Sequence, residues 1–304
     1  RRGPVSGKPA NAFVSRDGVR LHVLRWEGAG PALVMLPGLG QSAHVFRELA
    51  PALAGEFRVI AVTPRGHGHS ATPTGGYTLE SFADDLRAVL DAHGVEQAIV
   101  VAHSLSGTVA TRLAVRTPER VRGLVYLDAL HDYARWGEVM MQNPFPPPPR
   151  PDFGDLDGTR EWMTRYVPGF WCEALEADLK VHAVRDSALW RWELLTALLD
   201  DAAVHPSPYA GLHCPALALV AAESLDTQFG WMQPMADAER ERAEVYLRTV
   251  REPWRRASEA RFLDEAPGGR IVRIDGGHYF YLTARERVAA EIRAFASSLL
   301  PSHT

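Results

Sequence analysis

Lysine is nearly absent from this 304-residue chain: only Lys8 and Lys180 occur among 33 basic residues, and arginine supplies the rest. That bias reads as genomic composition and implies no function. Acidic and basic residues almost balance, at a formal net charge of −4, which excludes a broad attraction to nucleic acid or an anionic membrane. No apolar run reaches the ~18 residues of a bilayer span, so no membrane-spanning segment is expected. Cysteine is limited to Cys172 and Cys214. Without a C-x-x-C pair or other ligand spacing they indicate no metal site, and two scattered thiols are expected to stay free rather than to pair. No internal repeat is present. A chain that begins at Arg1 is expected to be trimmed or matured, either in the cytoplasm or after removal of a signal peptide. Its compartment and oligomeric state are not written in the sequence.

What is present is an ordinary globular composition, 46% apolar and 23% charged, with enough residues for one large α/β domain. Residues 1–11, rich in Gly, Pro and Ser, read as a loose end. "VRLHVLRWEG" alternates and predicts an exposed antiparallel strand. "PALVMLPG", "FRVIAVTPRG", "QAIVVAHS" and "VRGLVYLDAL" are continuous apolar runs, the mark of strands buried on both faces. Between them lie helical patterns: Ser42 to Leu53, then "TLESFADDLRAVLDAHG" with Thr78 as cap and Gly94 as stop, then "GTVATRLAVRTPERV". The alternation predicts an α/β fold with a mostly parallel central sheet and helices on both faces. The pattern breaks over residues 131–212, which hold the Pro-rich "NPFPPPPRPDFG" and many aromatics, and resumes at "CPALALVAAES". A charged helical stretch (234–266), the strand "GRIVRIDGGH" and the helix "ARERVAAEIRAFASSLL" complete the chain. The expected organisation is a core of residues 12–130 and 213–300 with a helical lid at 131–212.

The segment "VVAHSLSGTVA" (100–110) offers two serines. Its strand ends near Ala102 and its helix begins near Ser106, which places Ser104 in the turn between them. A nucleophile at such a turn sits in strained backbone with its Oγ above the sheet, and the close passage of strand and helix requires small residues two positions either side. Ala102 and Ser106 satisfy that for Ser104. Ser106 as nucleophile would be flanked by Ser104 and β-branched Thr108 and would lie inside the helix, so it is assigned to packing or capping. A serine hydroxyl needs a base. His278 follows a buried strand and two glycines, at the strand end where parallel sheets gather active-site residues. His67 and His69 occupy a Gly-rich loop, but no third metal ligand accompanies them. His103 is expected to point away from Ser104 and pack under the turn.

The order of "LPGLGQS" (36–42), "TPRGHGHS" (63–70), "VVAHSLSG" (100–107) and "DGGHY" (275–279) resembles the α/β-hydrolase family, from about Phe13 to Leu299. Thr63 departs from the Asp that family members often carry before the Arg-Gly-His-Gly stretch. The resemblance implies Ser104 as nucleophile, His278 as base, and an oxyanion hole formed by the backbone N–H groups of Leu39 and Leu105. It implies an acid at one of two strand ends: Asp128 is favoured, Asp226 is the alternative, and Glu223 is a third candidate. Serine at 104 argues against the dehalogenase and epoxide-hydrolase branches, which need a carboxylate nucleophile.

The function expected is that of a serine hydrolase cleaving a carboxylic ester or lactone through a Ser-His-Asp triad and an acyl-enzyme, with no cofactor and no metal. The partner expected is a small apolar ester, since Phe145, Phe153, Trp162, Tyr166, Phe170, Trp171, Trp190 and Trp192 enrich the lid in aromatics. A ligand receptor with incidental hydrolysis stays open as a second class. So do other triad activities: hydroxynitrile lyase, perhydrolase and C–C hydrolase.

Overall fold

A computed structural model describes residues 8–145, 155–166, 171–183 and 192–299. Eight strands form one sheet: β1 (Ala10–Arg16), β2 (Val19–Trp26), β3 (Ala32–Leu36), β4 (Arg58–Val62), β5 (Ala98–His103), β6 (Val121–Leu127), β7 (Ala216–Ala222) and β8 (Arg270–Asp275). Their spatial order is β1-β2-β4-β3-β5-β6-β7-β8. β1 and β2 pair antiparallel with each other, β2 pairs antiparallel with β4, and β3 through β8 are parallel. The fold is therefore α/β with a mostly parallel sheet.

Helices α1 (Leu49–Leu53), α2 (Leu79–Ala92) and α3 (Ser106–Arg116) fall among the first six strands. Helices α4 (Trp136–Met141), α5 (Leu156–Tyr166), α6 (Glu173–Ala183) and α7 (Trp192–Val204) lie between β6 and β7, where the described residues contain no strand. Helices α8 (Leu225–Phe229), α9 (Asp237–Tyr246) and α10 (Glu252–Glu265) precede β8, and α11 (Phe280–Thr283) and α12 (Arg285–Ser298) follow it.

The period-two alternation of the strands sorts their side chains into two cores. Val34, Leu36, Val100, Ala102, Leu124 and Tyr126 meet α2, α3 and Phe262 of α10 on one face. Leu33, Met35, Ile99, Val101, Leu217 and Leu219 meet α1 and α12 on the other. Each fully buried Leu, Ile or Val is worth roughly 1.5–3 kcal/mol, so a one-residue slip of any central strand would cost many kcal/mol. α2 begins as its sequence predicts: Thr78 accepts a hydrogen bond from the Ser81 N–H, and Gly94 turns left-handed at φ +59° just past its end.

Two local readings are corrected. β2 is not exposed: Leu21 and Val23 are buried in the core on one face and Leu24 and Trp26 in the core on the other, while β1, starting inside the supposed loose end, takes the edge position. The predicted helix from Ser42 to Leu53 is a 3-10 turn at Ala43–Phe46 followed by the short α1. Pro51 explains the break, since its ring excludes a helical carbonyl at Arg47 and it has no N–H to offer one.

Candidate active site

The carboxyl ends of β3, β5 and β6, which are neighbours, and of β8, one strand beyond β7, deliver Leu39, Ser104, Asp128 and His278 to one edge of the sheet. Ser104 has φ +55°, a left-handed backbone that costs a non-glycine residue of order 1–3 kcal/mol. Surrounding packing enforces it. A Cβ at Gly38 would lie 2.6 Å from the His103 ring, and one at Gly107 would lie 2.7 Å from Ala129. The Ser106 hydroxyl donates to the Pro37 carbonyl at 2.5 Å. It thus ties the first residue of α3 to the β3 exit loop and does not face the site.

His278 links the other two groups. Its Nε2 is 3.1 Å from Ser104 Oγ and its Nδ1 is 2.7 Å from Asp128 Oδ2. Asp128 is buried and also left-handed, at φ +43°. Its second oxygen accepts from the Ala221 N–H at 3.0 Å and from Arg255 at 3.4 Å. Burial alone would raise the carboxyl pKa. The His278 hydrogen bond and the neighbouring His131, His278 and Arg255 outweigh it and hold the carboxyl well below its ordinary range. Asp128 is therefore ionised at neutral pH and accepts from the His278 Nδ1–H. That leaves Nε2 as the basic nitrogen toward Ser104.

The other acid candidates stand elsewhere. Asp226 is exposed and, among the described residues, reaches Gln233 alone, at 3.4 Å. Glu223 is bound by Arg251 and Arg255, so it anchors the arginine that braces Asp128. The Leu39 and Leu105 N–H groups have no hydrogen-bond partner among the described residues, which leaves both amides open to an outside acceptor.

The histidines near the site divide by partner. His67 accepts from the Gly40 N–H at 2.9 Å through Nε2 and donates to the Arg65 carbonyl at 2.8 Å through Nδ1. Nε2 thus serves the backbone of the loop that carries Leu39, while Nδ1 is held by the backbone of its own loop after β4. His103 donates to the His278 carbonyl at 3.0 Å, with the two rings 4.5 Å apart, so it supports the loop of the base. Thr63, where the family pattern often has Asp, accepts from the Ala43 N–H and bonds His22.

Sequence reasoning missed three neighbours. His131 stacks on Trp254 at 5.2 Å and lies 3.7 Å from Asp128 Oδ2. Burial pushes its pKa down to about 3 even against the pull of Asp128. Tyr133, on a short turn after β6, faces Ser104. Asp178 of α6 accepts from both the Ser42 N–H, at 2.8 Å, and the Ser42 hydroxyl, tying the helical insertion to the β3 exit loop. The only signal for His131 and Tyr133 was their closeness to Asp128 in "LDALHDY"; for Asp178 there was none. Asp128, His131 and His278 converge closely enough to suggest metal ligands, but the Asp128–His278 bond already occupies the shared atoms and Arg255 adds a positive charge. Cys172 and Cys214 are free thiols. Of the aromatics expected in a lid, Phe145 is buried, and Trp162 and Trp171 are half-buried. Phe153, Phe170 and Trp190 lie outside the described residues, as do the side chains of Tyr166 and Trp192.

With this geometry in hand, comparison with known proteins gives the class. A sequence model of the alpha/beta hydrolase fold matches residues 31–167, somewhat under half of the chain, and the fold is that of the α/β hydrolases. It is 30% identical over 202 residues to a fluoroacetate dehalogenase of a Burkholderia species, covering 59% of this chain and 61% of that one. It is 42% identical over 106 residues to a 2-heptyl-3-hydroxy-4-quinolone dioxygenase of Rhodococcus erythropolis, covering 34% of this chain and 39% of that one. The chain thus spans about three fifths of the first relative and two fifths of the second. A solved serine hydrolase involved in carbazole degradation superposes with a TM-score of 0.66 at 18% identity, over 95% of this chain and 99% of that one. No helix among the described residues is long and apolar enough to cross a membrane.

Proposed function

We propose that this chain is a serine hydrolase that cleaves small, mainly apolar carboxylic esters, with residues 131–212 acting as a lid over the site. The observation that carries the reading is the continuous hydrogen-bonded chain Asp128–His278–Ser104, ending on a serine held in left-handed backbone. Ser104 Oγ attacks the carbonyl carbon while its proton passes to His278 Nε2. The carbonyl oxygen becomes an oxyanion between the Leu39 and Leu105 N–H groups. Collapse breaks the carbon–alkoxy bond, and His278 returns the proton to the departing alcohol. Water then gives a proton to His278, its oxygen attacks the acyl carbon, and Ser104 is restored as the acid leaves. Asp128 stays ionised throughout and stabilises the imidazolium. A serine at 104 supports ester chemistry over the halide displacement named for the dehalogenase relative, because alkyl displacement needs a carboxylate that leaves an ester water can open.

The test is labelling with a fluorophosphonate, with ester hydrolysis by Ser104→Ala beside it. Label on Ser104 and loss of turnover in the variant are expected; label elsewhere, or none, sinks the reading. A second reading draws on the 42% identical segment shared with a dioxygenase: the Asp128–His278 pair would take the proton of a ring hydroxyl, and dioxygen would be the co-substrate. Oxygen uptake with 2-heptyl-3-hydroxy-4-quinolone, in the absence of ester turnover, would favour it.

A further inference from the structure

The unexplained polar group of the site is the Tyr133 hydroxyl. Tyr133 opens the first turn after β6. Asp132 caps that turn by accepting from the Ala134 N–H at 3.1 Å, and the Asp132 carbonyl accepts from the Trp254 indole at 3.1 Å. The ring, 9% exposed, is fixed among His131 and Trp136. Its hydroxyl is buried and makes no hydrogen bond of normal geometry, although it faces Ser104 closely enough to interact with it. Burial pushes the phenol well above its ordinary pKa, with the Ser104 contact opposing, so at neutral pH it has a proton to donate. A buried hydroxyl without a partner is costly, and a substrate oxygen at Ser104 would supply the partner.

The sheet order decides which oxygen. β3, β5 and β6 are neighbours in that order. Leu39 follows β3, Ser104 follows β5 and Tyr133 follows β6, so Leu39 and Tyr133 flank the nucleophile from opposite sides. A tetrahedral carbon on Ser104 Oγ carries two further oxygens during ester hydrolysis. One takes the Leu39 and Leu105 amides, and the other faces the β6 side. We propose that Tyr133 is a further catalytic residue, whose hydroxyl donates a hydrogen bond to that second oxygen: the alkoxy oxygen in acylation and the water oxygen in deacylation. The phenol keeps its proton; the one that reaches the departing alcohol comes from His278. Tyr133 steadies the alkoxy oxygen as the carbon–oxygen bond lengthens. Its help therefore matters most for alkyl esters, whose alcohols leave poorly, and least for nitrophenyl esters.

This inference rests on Ser104 as the nucleophile, and the experiment separates the two. Equilibrium binding of benzeneboronic acid, whose serine adduct carries two further oxygens, is compared with that of phenyl trifluoromethyl ketone, whose adduct carries one. Tyr133→Phe is expected to weaken the boronic acid by about tenfold or more and the ketone by less than about threefold. It should also lower kcat on ethyl butyrate far more than on p-nitrophenyl butyrate. In the wild type labelled with 13Cζ-tyrosine, one resonance should move with the boronic acid and stay with the ketone, a readout that does not depend on how the variant folds. Equal weakening of both adducts, or no weakening, overturns the role of Tyr133 while leaving Ser104 in place. Failure of the wild type to bind either compound overturns Ser104 as nucleophile, and Tyr133 with it.

Discussion

The Asp128 carboxylate meets the His278 imidazole at 2.7 Å across 150 residues of sequence, from a backbone turned left-handed at the end of β6. That turn directs one oxygen to the ring and the other to the Ala221 amide. The pairing is thus held by the main chain of two adjacent strands. Asp128→Asn should leave the fold intact and lower kcat by up to ~10⁴-fold, the size of the same change in a serine protease. Asp226→Asn, altering an exposed side chain, should stay within about twofold of the parent, since surface changes are usually within ±0.5 kcal/mol. Both variants measured on one ester, with circular dichroism alongside, decide it; a dead Asp226→Asn beside an active Asp128→Asn reverses the assignment.

The two serines of "AHSLSG" should separate cleanly. Ser104→Ala is expected to lose ~10⁴-fold or more in kcat, in line with removal of a triad nucleophile. Ser106→Ala loses only the tether to the Pro37 carbonyl, a hydrogen bond of net value about 0.5–1.5 kcal/mol. It should keep activity within roughly tenfold and lower the melting temperature slightly. A Ser106→Ala enzyme as inactive as Ser104→Ala would place the chemistry on the wrong serine.

His67 predicts a catalytic effect without contact with substrate. Removing its ring leaves the Gly40 N–H buried and unpaired, a cost of ~1–3 kcal/mol borne by the loop that presents the Leu39 amide. His67→Leu should therefore reduce kcat by roughly 10- to 100-fold with a smaller change in KM, and added zinc should not restore it. Recovery of activity with zinc would return His67 to the role of a metal ligand.

Acid should destabilise the protein in a defined window. Burial holds His131 and His22 near a pKa of about 3, so both are neutral when folded, while the unfolded chain takes up their protons near 6.5. The unfolded state then binds more protons between these values. Stability is full above pH 6.5 and is lost as pH falls toward 3, by up to ~1.4 kcal/mol per pH unit for each group. Asp128 adds a loss of the same sign below the ordinary carboxylate range. Urea unfolding from pH 7 to 4 should show the slope, and His131→Phe should flatten it; an unchanged slope would mean that His131 is not buried neutral.

Much of this architecture was legible from residue pattern alone. The continuous apolar runs marked the buried parallel strands, because a strand covered on both faces has no polar alternation to lose. β1 was not legible: "ANAFVSR" follows a Gly/Pro-rich start and, as an edge strand, exposes alternate residues. Ser104 was readable from the small residues around its turn, and His278 from the glycines ahead of it. The choice between Asp128 and Asp226 was not, because both follow strands that end at the same edge. What separates them is a backbone angle at one residue, which composition does not encode. Asp178 was invisible for a related reason: it acts through a contact with Ser42, a residue distant in sequence.

The bond between Asp178 and Ser42 constrains how new specificities can arise on this framework. The acceptor sits in the insertion and both donors sit in the loop that carries the Leu39 amide, so the two parts cannot be inherited separately. An insertion transplanted from a relative would strand the Ser42 amide beneath it unless Ser42 and its loop travelled along. Recombination should therefore succeed when the exchanged block begins before Ser42 and fail when it begins at the end of β6, even though β6 is where the insertion itself starts.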